Sequence, residues 1–182
     1  SCFPKDVQAL QRSGKELGYD FKILESVIEV NDRQKTVLAK PIKEYFKGNL
    51  RGIKIALWGL AFKPDTDDIR EAPALYMIEQ LISEGAEITA YDPEAMPNVE
   101  KLLGHRIKYA PDMYSALENS DALLICTEWL AFRNPDFEII EEKLNNKVIF
   151  DGRNLYDLEK MNKLGFRYKS IGRSEVLNKK EI

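Results

Sequence analysis

The chain has 182 residues, 44% of them hydrophobic and 31% charged, which suits one compact domain with an appendage and excludes two full domains. Lysine and arginine number 27 against 30 aspartate and glutamate, interspersed along the sequence, so no broad basic face for nucleic acid is expected. Two cysteines are too few for a disulfide framework and lack zinc-type spacing. No apolar run approaches the roughly twenty residues that span a bilayer. We therefore expect a cytoplasmic protein without a membrane partner.

The first predicted element is a short helix from Lys5 to about Gly18. Pro4 suits its first turn and Gly18 its end. Asp6 then lies in the first turn, where the positive end of the helix favours a carboxylate.

A long helix is predicted over residues 21–47, because apolar residues recur there mostly three and four positions apart. Pro41 removes a backbone donor, so a kink or step is expected near Lys40. The wide apolar coverage needs a surface to pack on. That surface is either the domain that follows or a second copy of the chain.

Beyond Asn49, predicted strands and helices alternate, which indicates a parallel sheet in a Rossmann-like, doubly wound α/β domain. The predicted strands cover residues 53–59, 87–92, 122–126 and 147–151. The predicted helices cover residues 72–84, 113–118 and 136–144, with a last helix beginning near Tyr156. The expected organisation is a helical segment at 1–48, this domain at 49–173 and a disordered, polar tail at 174–182.

Polar segments follow each predicted strand, at 59–70, 92–93, 127–129 and 151–154. In open α/β sheets ligands bind at the carboxyl ends of the strands, so we expect the binding site there. The first segment lacks the Gly-x-Gly-x-x-Gly pattern, which argues against a self-contained NAD site. It offers Lys63, a point charge, and Arg70, a planar fork that can hold two phosphate oxygens.

Several other polar residues have a structural interpretation beside the functional one. Asp65, Asp67 and Asp68 could clasp a metal, but carboxylates this close in a loop more often cap a helix or pair with Lys and Arg, so no metal is predicted. Arg153 either binds an anionic ligand or forms an ion pair with Asp151 or Glu128. Cys126 ends an apolar strand and is interpreted as a small core residue rather than a nucleophile.

The start of the chain carries a second thiol, Cys2, close to Lys5 and Asp6. A thiol reacts as the thiolate, which Lys5 and a helix start would favour. Without an initiator Met, and with the thiol at position 2, the sequence indicates a truncated beginning whose missing residues held the cysteine. Otherwise Cys2 is a stray residue at a boundary. A redox-sensing role finds no resolving cysteine nearby in sequence.

Three stretches occur in the order and rough spacing found in the nucleotide-sugar 6-dehydrogenases. They are Cys-Phe-Pro-Lys-Asp at 2–6, Gly-Leu-Ala-Phe-Lys-Pro-Asp-Thr-Asp-Asp-Ile-Arg-Glu at 59–71 and Phe-Asp-Gly-Arg-Asn at 150–154. The chain therefore resembles the UDP-glucose/GDP-mannose dehydrogenase family, from its first residue to about Gly172. Members of that family carry an NAD-binding domain before the cysteine, so the resemblance covers only the back part of their chains.

The resemblance implies catalytic roles for Cys2 and Asp6. In the family an alcohol is oxidised to an aldehyde, the cysteine thiolate adds to it, and a second hydride loss gives a thioester that water cleaves. Cys2 matches that nucleophile, and Asp6 matches an aspartate that assists water and proton handling. The family's catalytic lysine and asparagine precede the cysteine and are absent here, so turnover by this chain alone is not expected.

The resemblance also implies ligands and a partner. Phe62, Lys63 and Arg153 would contact a UDP-sugar substrate. Lys5 would lie near the cofactor and Arg70 would face NAD, which the preceding domain mainly binds. The helix that links the two nucleotide-binding domains is a dimer interface in this family, so a homodimer through the long helix is implied.

The exact substrate stays open at this point. Residues 126–129 and 150–154 resemble the branch that oxidises UDP-glucose to UDP-glucuronate with two NAD better than the branches for GDP-mannose or a UDP-N-acetylhexosamine. Base and sugar are also recognised by residues that precede this sequence in the family, so those substrates remain alternatives. From another functional class, the chain could be a non-catalytic nucleotide-binding or dimerisation module whose cysteine is incidental.

Overall fold

A computed structural model describes residues 2–177, with Cys2, Phe3 and Pro4 described by their backbone only. The thiol of Cys2, a predicted nucleophile, lies outside the described residues. So does the end of the predicted tail, 178–182.

Helices and parallel strands alternate after an all-helical start. The strands are β1 (Lys54–Trp58), β2 (Glu87–Tyr91), β3 (Lys108–Tyr109), β4 (Ala122–Ile125), β5 (Val148–Asp151) and β6 (Arg167–Ser170). The helices are α1 (Cys2–Glu16), α2 (Lys22–Lys35), α3 (Ala39–Tyr45), α4 (Pro73–Ser83), α5 (Met96–Leu103), α6 (Leu130–Arg133), α7 (Phe137–Lys143) and α8 (Leu158–Leu164). Short 3-10 turns cover Gly104–Arg106 and Ser115–Leu117.

The strands form one sheet of order β3-β2-β1-β4-β5-β6, and every pairing is parallel. The predicted Rossmann-like, doubly wound fold is therefore confirmed. In the register, Trp58 lies opposite both Tyr91 and Ile125, and Ile125 lies opposite Asp151. The four central strands consequently end side by side. The strand order reverses between β1 and β4, which is the point where open α/β sheets bind ligands.

The burial of the central strands explains why they could be predicted from the sequence. All four residues of β4 and all four of β5 are buried, because helices cover both faces of a parallel sheet. Helix α4 buries a stripe at positions three and four apart, formed by Ala74, Met77, Ile78 and Leu81. Continuous apolar runs predict such strands and helices well.

The two edge strands β3 and β6 were not predicted. β3 has only two residues, and β6 reads Arg-Tyr-Lys-Ser, in which Tyr168 is the one apolar residue. Charged side chains are common on edge strands because they discourage pairing with another chain. The 113–118 region, predicted as a helix, forms only the 3-10 turn Ser115–Leu117.

The predicted long helix is two helices, and the step lies at residues 36–38, close to its predicted position near Lys40. Pro41 is the third residue of α3, where a backbone N–H has no acceptor within the helix. Had α2 continued, the ring of Pro41 would have met the carbonyl of Val37. The chain therefore steps one turn before the proline.

The core extends beyond both ends of the predicted domain 49–173. Leu38, Ala39 and Ile42 belong to the same buried cluster as the sheet. At the other end, Val176 and Tyr168 exchange two backbone hydrogen bonds, of 2.9 and 3.0 Å. The first residues of the predicted tail are thus attached to β6, and the domain boundaries stay predictions.

Within residues 2–177, no helix is both long enough and apolar enough to cross a membrane.

Candidate functional site

The buried carboxylate of Asp92, just after β2, holds three loops together. Its Oδ2 accepts hydrogen bonds from the backbone N–H of Leu60 at 2.6 Å, from that of Ala61 at 3.0 Å and from the indole of Trp129 at 3.0 Å. Its Oδ1 accepts from two amides of its own loop, at 2.9 and 2.8 Å. A buried charge requires such partners. The loops after β1, β2 and β4 are therefore fixed relative to one another.

The same bonds bear on dinucleotide binding. In nucleotide-binding folds the pyrophosphate is held by backbone N–H groups in the first turn after β1, at a helix N-terminus. Here the amides of Leu60 and Ala61 donate to Asp92, and the next helix begins only at Pro73. The β1 loop as folded does not fit a dinucleotide pyrophosphate.

The loops after β1 and β4 also touch directly. Gly59 has φ +93°, and a Cβ built on it would lie 2.5 Å from the Cβ of Thr127 and 2.6 Å from its backbone nitrogen. The buried hydroxyl of Thr127 donates to the carbonyl of Ala61 at 2.6 Å. This contact needs glycine at position 59 and places Phe62 beside the segment that begins at Thr127.

Arg153, a predicted substrate contact, forms an ion pair with Glu128. Its Nε lies 2.5 Å from Oε2 and its Nη2 2.7 Å from Oε1 of that carboxylate. Burial opposes the ionisation of Glu128, but the bonds from Arg153 outweigh it and lower the pKa of the carboxyl. The guanidinium has five N–H groups, so three remain for another acceptor.

The backbone of Arg153 is anchored by Asp151 at the end of β5. Asp151 is buried, and its Oδ1 accepts from the N–H of Arg153 at 2.7 Å. Its Oδ2 accepts from the hydroxyl of Tyr168 at 2.6 Å, and that hydroxyl accepts from Arg173 at 2.8 Å. Burial and the charge of Asp151 raise the pKa of Tyr168. The loop after β5 is therefore held by a hydrogen-bond network of Asp151, Tyr168 and Arg173, which was not predicted from the sequence.

A cavity of about 280 Å³ lies between α2, α4 and the ends of β4 and β5. Its polar lining consists of Asn31, Gln34, Lys35 and Arg153. Cys126 also lines it, but the residue is buried, and burial raises the pKa of its thiol to about 12. A protonated thiol is a poor nucleophile, which fits the interpretation of Cys126 as a core residue.

Lys35 links α2 to the end of the β1 loop. Its almost fully buried ammonium lies 2.9 Å from Asp32 and 2.5 Å from Glu71, and 4.1 Å from the centre of the Tyr76 ring. Burial would lower the pKa of Lys35, but the bonds to Glu71 and Asp32 raise it above its usual value. The hydrogen bond from Lys35 lowers the pKa of Glu71. Residues 35 and 71 are far apart in sequence, so no local pattern could reveal this pair.

The remaining predicted residues of the β1 loop differ in their surroundings. Phe62 is half-buried, and its N–H donates to the carbonyl of Asp68 at 2.8 Å. Lys63 is exposed and has no ion-pair partner in the part of the chain that the structure describes. The Arg70 side chain is 81% exposed and donates through Nε and Nη2 to Asp68, at 2.9 and 2.8 Å. These bonds lower the pKa of Asp68.

The carboxylates of this loop have protein partners. Asp68 pairs with Arg70, and Asp67 accepts from the side-chain amide of Asn98 at 3.0 Å. Among residues 2–177, no group of three or more His, Cys, Asp and Glu side chains is placed to hold a metal ion.

The structure does not bring Lys5 and Asp6 to the strand ends. Both are exposed on α1, which packs on α2 and is tied to it by the ion pair of Lys15 with Glu25 at 2.8 Å. In the described part of the chain, Lys5 and Asp6 form no hydrogen bond or ion pair with the loops after the strands. Their predicted roles, and those of Phe62, Lys63, Arg70 and Arg153, stay predictions.

Comparison with protein families gives two matches. The UDP binding domain of the UDP-glucose/GDP-mannose dehydrogenase family matches residues 56–158, and the central domain of that family matches residues 1–33. The first match runs from the third residue of β1 through β5 and includes every strand-end loop described above.

Individual relatives agree with this match. A UDP-glucose 6-dehydrogenase of Pseudomonas aeruginosa is 46% identical over an alignment 178 positions long, which covers 95% of this chain and 39% of that protein. The UDP-glucose 6-dehydrogenase TuaD of Bacillus subtilis is 43% identical over 97% of this chain and 38% of its own length. The chain thus spans about two fifths of the length of these relatives.

Solved structures show the same arrangement. A UDP-glucose dehydrogenase from Pyrobaculum islandicum is similar over 96% of this chain and 38% of its own, with a TM-score of 0.75 and 31% identity. A UDP-D-ManNAc dehydrogenase from Pyrococcus horikoshii is similar over 94% of this chain and 38% of its own, with a TM-score of 0.73 and 27% identity.

Asp92→Asn should destabilise the fold by about 2–4 kcal/mol, because one carboxylate oxygen becomes a donor that faces other donors in a buried site. Asp136→Asn is the matched control. Asp136 also accepts from two backbone amides, as the N-cap of α7, and asparagine caps a helix equally well. Urea unfolding of both variants measures the difference. Equal, small losses would show that Asp92 does not hold the loops.

Glu71→Gln should lower stability at pH 7 by about 1–2 kcal/mol, since a buried ammonium loses a charged partner. The pKa of Glu71 is below its ordinary 4.5, so the contribution is complete above that pH and is lost as the pH falls through the lowered value. The difference in stability between the two proteins should therefore shrink steadily as the pH falls below 4.5.

Glu79→Gln is the control for this change. Glu79 pairs with Arg106 on the exposed side of α4, where ion pairs contribute little. Chemical denaturation between pH 3 and 7 makes the comparison. A difference between wild type and Glu71→Gln that does not change with pH would contradict the assignment.

Proposed function

The chain belongs to the UDP-glucose/GDP-mannose dehydrogenase family, and on that premise we propose that it is the C-terminal, substrate-binding part of a UDP-glucose 6-dehydrogenase. The complete enzyme would oxidise UDP-glucose to UDP-glucuronate with two NAD, in the cytoplasm. One observation carries the proposal. The loops after β1, β4 and β5 are interlocked at the ligand-binding edge of the sheet, within the segment that matches the family's UDP binding domain.

Three residues of these loops would bind the UDP-sugar. Lys63 is exposed and is not held by an ion pair within residues 2–177, so its ammonium is available to a diphosphate. Arg153 has N–H groups left over from its pair with Glu128 and can donate to phosphate or sugar oxygens. Phe62 adds apolar surface beside them. A point charge, a planar fork and an aromatic ring suit a ligand with both charged and apolar parts.

Cys2 and Asp6 would carry the chemistry on the sugar carbon. The Cys2 thiolate would add to the aldehyde produced by the first oxidation, and the oxygen would take up a proton to give a thiohemiacetal. Loss of a second hydride and a proton would give a thioester. Water, assisted by Asp6, would then cleave it to the carboxylate and free the thiol. Covalent capture keeps the aldehyde from escaping between the two oxidations.

NAD would supply the hydride acceptor for both oxidations. The β1 amides are committed to Asp92, so we propose that another domain mainly binds NAD, with Lys5 and Arg70 reaching toward it. The greater length of the relatives leaves room for such a domain. The exposure of Arg70 is consistent with this role.

We also propose a homodimer through α2. Its exposed face carries Ile23 and Val30, which are 79% and 55% exposed. A helix with apolar residues in solvent gains free energy when a second copy covers them.

UDP-glucose is preferred to GDP-mannose or a UDP-N-acetylhexosamine as substrate for one reason. Among the solved structures, identity is 31% to the UDP-glucose dehydrogenase and 27% to the UDP-D-ManNAc dehydrogenase, and two further UDP-glucose 6-dehydrogenases are more than 40% identical in sequence. A non-catalytic nucleotide-binding or dimerisation module remains the alternative of another class.

The NADH yield tests the proposal. In the enzyme that joins this chain to an NAD-binding domain, about two NADH should be released per UDP-glucose, with less from GDP-mannose. Cys2→Ser should abolish the double oxidation, whereas Cys126→Ser should keep the yield at two, because only the first thiol would react. Absorbance at 340 nm with limiting sugar gives the ratio. No NADH from UDP-glucose, or two NADH with the Cys2→Ser variant, would contradict the proposal.

A further inference from the structure

The pair of Arg153 and Glu128 uses the side of the guanidinium that suits phosphate best. Nε and Nη2 present two parallel N–H groups, which match two oxygens of either a carboxylate or a phosphate. Both N–H groups are taken by Glu128, at 2.5 and 2.7 Å. A ligand phosphate can reach that side only if the carboxylate moves away.

We propose that Glu128 is a positioning and specificity-determining residue, which competes with the phosphate of the ligand for the fork of Arg153. This inference rests on the proposed function, because it takes Arg153 as a contact of the nucleotide. Glu128 would hold the guanidinium in place. Only a strongly anionic ligand would bind the guanidinium well enough to displace the carboxylate.

The backbone on both sides of the pair is fixed, so the exchange involves side chains only. Thr127 donates to the β1 loop, and the indole of Trp129 donates to Asp92, which holds the two neighbours of Glu128. Across the pair, the N–H of Arg153 is bound to the buried Asp151. Glu128 must therefore yield by rotating its own side chain.

Partial burial of the two side chains strengthens the competition between Glu128 and a ligand phosphate for Arg153. The Glu128 and Arg153 side chains are 23% and 34% exposed, so water and salt screen their charges less than those of a surface pair. The carboxylate would also repel any phosphate that approaches Arg153. Removing the charge of Glu128 should therefore favour anionic ligands selectively.

Glu128→Gln tests the inference on this chain, with UDP and uridine as probes. Glutamine keeps one acceptor for the guanidinium but loses the negative charge. The affinity for UDP should rise about three- to tenfold, and the affinity for uridine should not change, because uridine has no phosphate. Ligand-detected NMR titration suits both probes. Thermal unfolding shows whether the variant is folded.

Two further variants separate the effect from general electrostatics. Glu118→Gln removes the same charge from an ion pair with Lys143. Glu118 precedes β4 and so lies at the amino ends of the strands, away from the proposed site, and its substitution should leave the UDP affinity unchanged. In an Arg153→Met background, Glu128→Gln should no longer raise the UDP affinity, because the fork is absent.

The results of these titrations separate the inference about Glu128 from the proposed function. A gain for UDP alone that requires Arg153 supports the competition. Unchanged or weaker UDP binding by Glu128→Gln, beside measurable binding by the wild type, overturns this inference and leaves the proposed function standing. An equal gain for uridine overturns it as well. No UDP binding by the wild type or any variant overturns both the inference and the proposed function.

Discussion

The carboxylate of Asp92 is buried at the end of β2, so its charge has to be balanced there by hydrogen bonds. It accepts five, from the loops after β1, β2 and β4. The geometry of the ligand-binding edge follows from this requirement. The amides of Leu60 and Ala61 are aimed at a carboxylate of the protein rather than at a ligand, and the indole of Trp129 is fixed beside them. Folds of this kind often hold a dinucleotide at the turn after β1, but here the two amides of that turn are already bound to Asp92.

The position of Arg153 depends on the same set of hydrogen bonds between the strand-end loops. Thr127, held against Ala61, sets the direction of Glu128, which in turn holds Arg153. Asp151 anchors the backbone of Arg153 from the neighbouring strand. Lys63 is exposed and has no ion-pair partner among the described residues. The edge thus combines a rigid backbone with the cations Lys63 and Arg153, which under the proposed function would meet the diphosphate of the substrate.

The sequence allowed the central sheet to be predicted, because β4 and β5 are continuous apolar runs between polar turns. It could not show β6, where charged residues alternate with Tyr168 on an edge strand. The two partners considered for Arg153 could not be separated either. That choice depends on the register that sets Ile125 opposite Asp151 and brings the following loops together. Asp92 carried only a weak signal, an Asp-Pro turn after a strand, and nothing local indicated its burial.

Hydrogen exchange of the chain with and without UDP-glucose tests most directly whether the nucleotide sugar binds at the interlocked strand ends. Backbone amides report protection locally, so the ligand footprint can be assigned to individual loops. We expect slower exchange in 59–72, 126–130 and 151–155, with no change in α7 or α8. Protection confined to those two helices, or no protection in the three loops at saturating ligand, would contradict the account.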